Sequence, residues 1–248
     1  MGGPGITIRI DPMPGMAPDA PPLVIEGAQW LAETFFRRDP SAVGLNSFDA
    51  YIGRTHLDPA VRDRIVDADV TAVNTTMAAR TSHATWAAVI QGTDWTWLTN
   101  LDPTWDLIEM EESAWAEAEV AKRLGVAFAA VQRPGLQIAV VTKVLHIKRP
   151  RLIPVLDSLV LSQVGARYSD DVRSWVAALE HVRTVGRRNL DGLSGIRVHL
   201  RSQEIGDRSL IRILDSLLWT ATPGAALFGH LSQWERVFRP RASTIDAR

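Results

Sequence analysis

From Val24 onward the apolar residues of this chain return every three or four positions, and that spacing confines it to a helical build. The stretch from Val24 to Arg38 sets the pattern, with Trp30, Leu31, Phe35 and Phe36 at helical spacing and Asp39-Pro40 as its end. Asp58-Pro59 and Asp102-Pro103 read as helix starts, because aspartate accepts orphan backbone N–H groups and proline suits the first helical position. Ser82 and Ser169 are further starts, and Gly125, Gly165 and Gly186 are stops, where a left-handed cap is easiest for glycine. Later helices are expected over about 169–186, 190–203, 208–220 and 225–237. The expected fold class is all-α, a multi-helix globular fold. One helical domain covers 24–238, any sub-domain seam falls near 125–135, and a tail follows at 239–248.

Residues 1–23 break the pattern. Six of the fourteen prolines fall there, so the segment reads as a Pro-rich arm. Ile6, Ile8 and Ile10 alternate with Thr7 and Arg9 as in a short strand, but an isolated strand needs an edge to pair with, and without one the arm stays irregular. A partner protein or a second copy of the chain could offer that edge.

The chain has 248 residues, is 46% hydrophobic and 22% charged, and carries a formal charge of −1. It contains no cysteine, which removes disulfides, thiolate nucleophiles and thiolate metal sites and points to a reducing, cytoplasmic setting. No apolar run is long enough to cross a bilayer, so no membrane partner is expected. A near-neutral chain attracts nucleic acid only through a local basic patch.

Phosphate-binding, dinucleotide, zinc-protease and hydrolase signatures are absent, and the six histidines show no metal-ligand spacing; neither metal nor cofactor is expected. Asp67-Ala-Asp69 reads as an N-cap pair before an apolar run. Nine tryptophans outnumber two tyrosines, and five fall within residues 86–115. Most read as core, whereas Trp95 and Trp97, in a Gly92-Thr-Asp-Trp-Thr-Trp stretch, are candidates to stack on a flat ligand.

Chemistry concentrates in residues 133–158. Arg133-Pro134-Gly135-Leu136 reads as a tight hairpin, followed by a helix from about Gln137 to Lys148 that Pro150 stops and a second helix that Pro154 opens, with Asp157 in or beside its first turn. Lys143, His146, Lys148, Arg149 and Arg151 surround that carboxylate in sequence. An aspartate fixed at a helix start suits stabilising a developing cation better than donating a proton. The competing reading is a helix cap beside a solvated basic face.

The run Thr142-Lys-Val-Leu-His-Ile-Lys-Arg-Pro-Arg-Leu-Ile-Pro-Val-Leu-Asp-Ser158, with the later Ser209-Leu-Ile-Arg-Ile-Leu-Asp-Ser-Leu-Leu-Trp219, resembles the motifs of a bacterial family of uncharacterised helical proteins. More distantly, hairpin, helix and Pro-Val-Leu-Asp together resemble the helix-hairpin-helix DNA glycosylases. That resemblance implies a hairpin at Gly135 that holds DNA phosphate and a catalytic role for Asp157 in N-glycosidic cleavage. Gln137 replaces the second hairpin glycine, and Ala139 stands where lyase-type members carry a nucleophilic lysine, with Lys143 one turn further on. A Schiff-base route is therefore not implied.

Arginines 183, 187, 188, 197, 201, 208 and 212 form a second cluster, read either as phosphate ligands, Arg197 and Arg201 foremost, or as partners of Asp191, Glu204 and Asp207. Three functions follow. The first is a nucleic-acid-binding, N-glycosylase-like protein, active or degenerate, with DNA or another polyanion as partner. The second is a small-molecule enzyme of specialised biosynthesis acting on an anionic substrate. The third is a non-catalytic interaction module.

Overall fold

The structure is a computed structural model that describes residues 5–14, 22–39, 41–166 and 171–221. Two short strands, β1 (Ile8–Ile10) and β2 (Leu23–Ile25), pair antiparallel with Ile8 opposite Ile25. Thirteen helices follow among the described residues: α1 (Ala28–Arg38), α2 (Phe48–His56), α3 (Pro59–Arg62), α4 (Asp67–Thr76), α5 (His83–Ile90), α6 (Thr96–Thr99), α7 (Glu112–Glu117), α8 (Val120–Val131), α9 (Ile138–Lys148), α10 (Ser158–Gln163), α11 (Val172–Arg188), α12 (Leu190–Ser202) and α13 (Leu210–Thr220). The fold is all-α.

Two helices form the centre. In α13 every residue from Leu210 to Leu218 is buried, and in α9 every residue from Val141 to Lys148. Helices α1, α10 and α12 pack on α13, α2 and α4 pack on α9, and α8 lies along α11. Burial on this scale, at about 25 cal/mol per Å² of apolar surface, is what holds the helices together.

The arm is not apart from this body where it is described. Ile8 and Ile10 are fully buried, β2 supplies the missing edge, and the Asn189 side chain closes the other side of β1 by accepting from Arg9 N (3.0 Å) and donating to Arg9 O (2.7 Å). The alternation of isoleucines was therefore a strand signal with an internal partner. Ser82 and Asp58 cap helices as expected, and Gly165 (φ +68°) follows α10. Asp102-Pro103 makes only a turn, in which Asp102 accepts from Thr104 N. Gly125 and Gly186 are helix interiors rather than stops; a Cβ on Gly186 would come within 2.5 Å of Ile108, so this glycine is there for close approach. Ser169, the 225–237 helix and the 239–248 tail lie outside the described residues.

Candidate functional site

The turn expected at residues 133–136 is present. Leu136 N donates to Arg133 O (2.9 Å), with Pro134 and Gly135 (φ +84°) at its corners, the pattern of a type II turn. It joins α8 to α9, and Gly135 and Gln137 are exposed. Gln137 is the N-cap of α9 without a side-chain capping bond, so the first amides of that helix have no side-chain acceptor of their own cap.

Helix α9 then shapes the segment that follows it. Thr142 Oγ1 accepts from Leu156 N (3.0 Å), and His146 Nδ1 donates to Ile153 O (2.6 Å). These bonds tie residues 153–156 to α9 outside any helix, which corrects the expectation that Pro154 opens one: α10 begins at Ser158, with Asp157 as its N-cap. Asp157 Oδ1 accepts from Leu159 N and Val160 N (3.1 and 3.0 Å). Its Oδ2 lies 4.0 Å from Lys143 Nζ, with the two side chains 18% and 10% exposed, so the pair sits at the edge of the core within reach of solvent. Burial pushes the Lys143 ammonium below its ordinary pKa, opposed by Asp157 and Asp215.

Lys143 also donates to Met77 O (2.9 Å), which draws the α4–α5 connection to the site. That connection is strained: Ala78 and Arg80 both lie in the left-handed region, at φ 47° and 52°. Asn74 clamps it from both sides, donating to Thr81 O (2.7 Å) and accepting from Thr81 N (3.0 Å). Arg80 is exposed and has no ion-pair partner among the described residues. Nothing in the sequence pattern singled out this loop.

The other cations of the segment have different fates. Lys148 and Arg149 are buried, which corrects the reading of a solvated basic face. Lys148 Nζ meets Asp69 at 2.6 Å and Val61 O at 3.0 Å; Asp69 caps Val66 N, so the carboxylate singled out as a cap is also a buried ion-pair partner. Arg149 binds Asp63 (2.9 Å), Leu98 O (2.7 Å), Lys148 O (2.8 Å) and, closely, Leu101 O. Arg151 pairs with Asp106 and Glu109, Arg197 with Glu109, and Arg201 with Asp207. Of the acidic partners expected for the C-terminal arginines, Asp207 is used; the others turn to Glu109, Glu111, Glu112, Asp11, Asp49 and Asp215.

His146 is completely buried, stacked on Phe48 at 5.7 Å. Its Nδ1 faces a carbonyl and must carry the proton, so Nε2 is the bare acceptor and has no partner among the described residues. Burial, then the nearby Arg212, depress its pKa to about 4. Trp95 and Trp97 flank the start of α6, half-buried, with ring centroids 5.6 Å apart and planes at 45°, so they form a wedge rather than a parallel slot. Among the described residues no cluster of three or more His, Asp or Glu could hold a metal, and no helix is long and apolar enough to cross a membrane.

A second ionic group, absent from the expected set of site residues except for its arginines, lies beside the first. Arg212 pairs with Asp49 (2.9 Å) and Asp215 (2.8 Å) inside the core. Burial pushes the Asp215 carboxyl up to about 7 against the pull of Arg212, and repulsion from Asp157 and Asp49 adds to it. The Asp157 end and the Asp49 end of the molecule thus share one buried electrostatic chain.

No curated protein and no solved structure matches this chain. Residues 28–222 match the model of a family described only as of unknown function, DUF6308. A match over that much of its length makes this chain a member of that family.

Proposed function

We propose that this chain is an N-glycosylase-like protein in which Asp157 faces the sugar of a nucleosidic substrate. The observation that carries the reading is the position of Asp157: one oxygen is fixed by two backbone amides at the start of α10, and the other is turned toward Lys143 at the solvent edge. When a C1′–N bond breaks, its electron pair leaves with the base and positive charge develops on the sugar; a fixed carboxylate opposite that carbon stabilises it, water then adds, and the proton that the water gives up goes by way of solvent to the departed base. Lys143 does not touch the reacting atoms in this scheme. It is a positioning residue, tied to Met77 O and holding the Asp157 side chain by charge. The Gly135 turn and Arg80 supply phosphate contacts.

Because Lys148 and Arg149 are interior and Arg151, Arg197 and Arg201 are already paired, few cations remain for a phosphate backbone. Binding to DNA should therefore be weak, with a log–log salt slope of only about −1 to −2. The same economy of free cations favours a second reading, a small anionic substrate in place of a nucleic acid.

Base release from duplex DNA, single-stranded DNA and free nucleotides, measured with the wild type and Asp157→Asn, tests this. Asparagine caps helices nearly as well as aspartate, so the variant should fold while its rate falls about 100-fold or more. Release from free nucleotides alone would select the second reading. No release from any substrate, with no salt-dependent DNA binding, would sink the proposal.

A further inference from the structure

On the far side of Arg212 from Asp157, the ionic chain opens into a cleft of about 590 Å³. One wall is the loop 41–47 leading into α2, the other is the connection 203–208 between α12 and α13, and Phe36 and Arg37 of α1 form the floor. The volume falls within the range of small-molecule sites, which run from about 300 to 1,000 Å³.

Arg208 and Asp49 face each other here in an unfinished contact. Arg208 Nε stands 3.6 Å from Asp49 Oδ2, too far for a hydrogen bond, and neither atom has another partner among the described residues. The Asp49 side chain is only 8% exposed, and its Oδ1 is already taken by Arg212. One carboxylate is thus divided between two arginines. The second carboxylate in reach of Arg212, Asp215, is bonded to that arginine, so Asp49 is the carboxylate that faces Arg208.

The rest of the Arg208 head group is positioned but little used. It lies over the Phe36 ring at 5.3 Å, and its one further bond among the described residues is 3.4 Å from Nη1 to Asp207 O. The backbone makes room for it: Gly206, at φ +107°, would place a Cβ 3.1 Å from Arg208 Nη1, so a side chain there would strain the backbone and make the guanidinium give way by a few tenths of an ångström. Glu204, at φ +57°, adds strain to the same connection, as found where a local geometry is kept for binding. Arg37 adds a second guanidinium at the floor, held by Glu33 and Gln203 O. Val43 and Ile205 leave apolar surface beside these charges.

We propose that this cleft is a binding site for a small organic oxyanion, a phosphate monoester or carboxylate, gripped by the Arg208 fork with Arg37 and carrying a flat apolar part that rests on Phe36, Val43 and Ile205. An oxyanion fits the fork in two parallel bonds and supplies the charge that Asp49 divides. The site is separate from Asp157 and does not depend on the glycosylase reading.

The test is calorimetric titration of the full chain with phenyl phosphate, benzoate and inorganic phosphate at constant ionic strength. Saturable binding of phenyl phosphate or benzoate is expected, and the tighter of the two identifies the head group. Arg208→Lys keeps the charge and loses the fork; it should weaken binding about tenfold or more while the melting temperature stays close to wild type. Gly206→Ala should weaken it similarly, and Asp157→Asn should leave it unchanged. No saturable binding of either organic anion up to about 10 mM, the weak end of specific recognition, overturns the proposal. So does binding that Arg208→Lys and Gly206→Ala both leave intact.

Discussion

Two cation-rich stretches of this chain look alike on paper and end in opposite places. Residues 143–149 carry two lysines, a histidine and an arginine, and all four are buried, Lys143 at the edge of the core. Residues 197–212 carry four arginines, of which Arg212 alone is fully buried, Arg201 is exposed, and Arg197 and Arg208 lie between. The difference comes from the neighbours. In α9 the residues between the charges are valine, leucine and isoleucine on every face, so burying the helix takes its cations along. In α12 the apolar positions Leu193, Ile196 and Leu200 form one stripe, and Arg197 and Arg201 fall beside it. A charge pulled inward must find acceptors; Arg149 finds them on α6, its flanks and Asp63, and becomes a staple between segments far apart in sequence. A charge left near the surface keeps donors to spare, and Arg208 is the case in point.

Arg149→Ala should break this comparison most visibly. It orphans the carbonyl of Leu101, strips the side-chain donor from Leu98 O and leaves Asp63 with Arg62 as its arginine partner, a loss of about 3–5 kcal/mol, or a fall of about 10 °C in melting temperature.

The next effect lies where the two stretches touch, at His146 beside Arg212. Its folded-state pKa of about 4 is below the ordinary 6.5, so the unfolded chain takes up the proton first as the solution is acidified. Its contribution to stability is complete above about pH 6.5 and is lost toward pH 4, about 3 kcal/mol in all. Asp215 runs the other way: with its pKa raised to about 7, its contribution is complete below 3.8 and is lost as pH rises through 7. His146→Asn keeps a donor for Ile153 O and should remove the acid-sensitive limb, so that denaturant unfolding at pH 5 and pH 7 gives a smaller difference, or one of reversed sign, than in the wild type. An unchanged difference would mean that the imidazole takes up its proton at an ordinary pH in the folded state.

The smallest effect is expected at Arg201. Its bond to Asp207 is short, 2.6 Å, yet both side chains are more than half exposed, and Arg201→Ala should cost about 0–1 kcal/mol by the same unfolding measurement. A loss comparable to that at Arg149 would erase the distinction between the two stretches.

The helical class, the Pro134-Gly135 turn and the capping place of Asp157 could be read from the sequence, because each depends on neighbours within a few residues. Lys148 read as part of a basic face instead, because its partners Asp69 and Val61 O are 79 and 87 residues away and leave no local trace. The non-helical course of 153–156 has the same cause: it is imposed by Thr142 and His146 from the preceding helix, against the ordinary tendency of proline to begin a new one. The cleft was invisible because Asp49 and Arg208 meet only after α1, α2 and α13 have packed.

The strand at Ile8–Ile10 has a consequence for the order of events during synthesis. Arg9 is joined to Asn189, 180 positions later, and Ile6 and Ile8 lie against Gly192 and Gly195 of α12. At about 5–20 residues per second, a ribosome needs about 9–36 s to make the intervening chain. Through that interval two isoleucines destined for the interior remain uncovered on that side, so the nascent chain, more than the finished one, is the form a chaperone would meet.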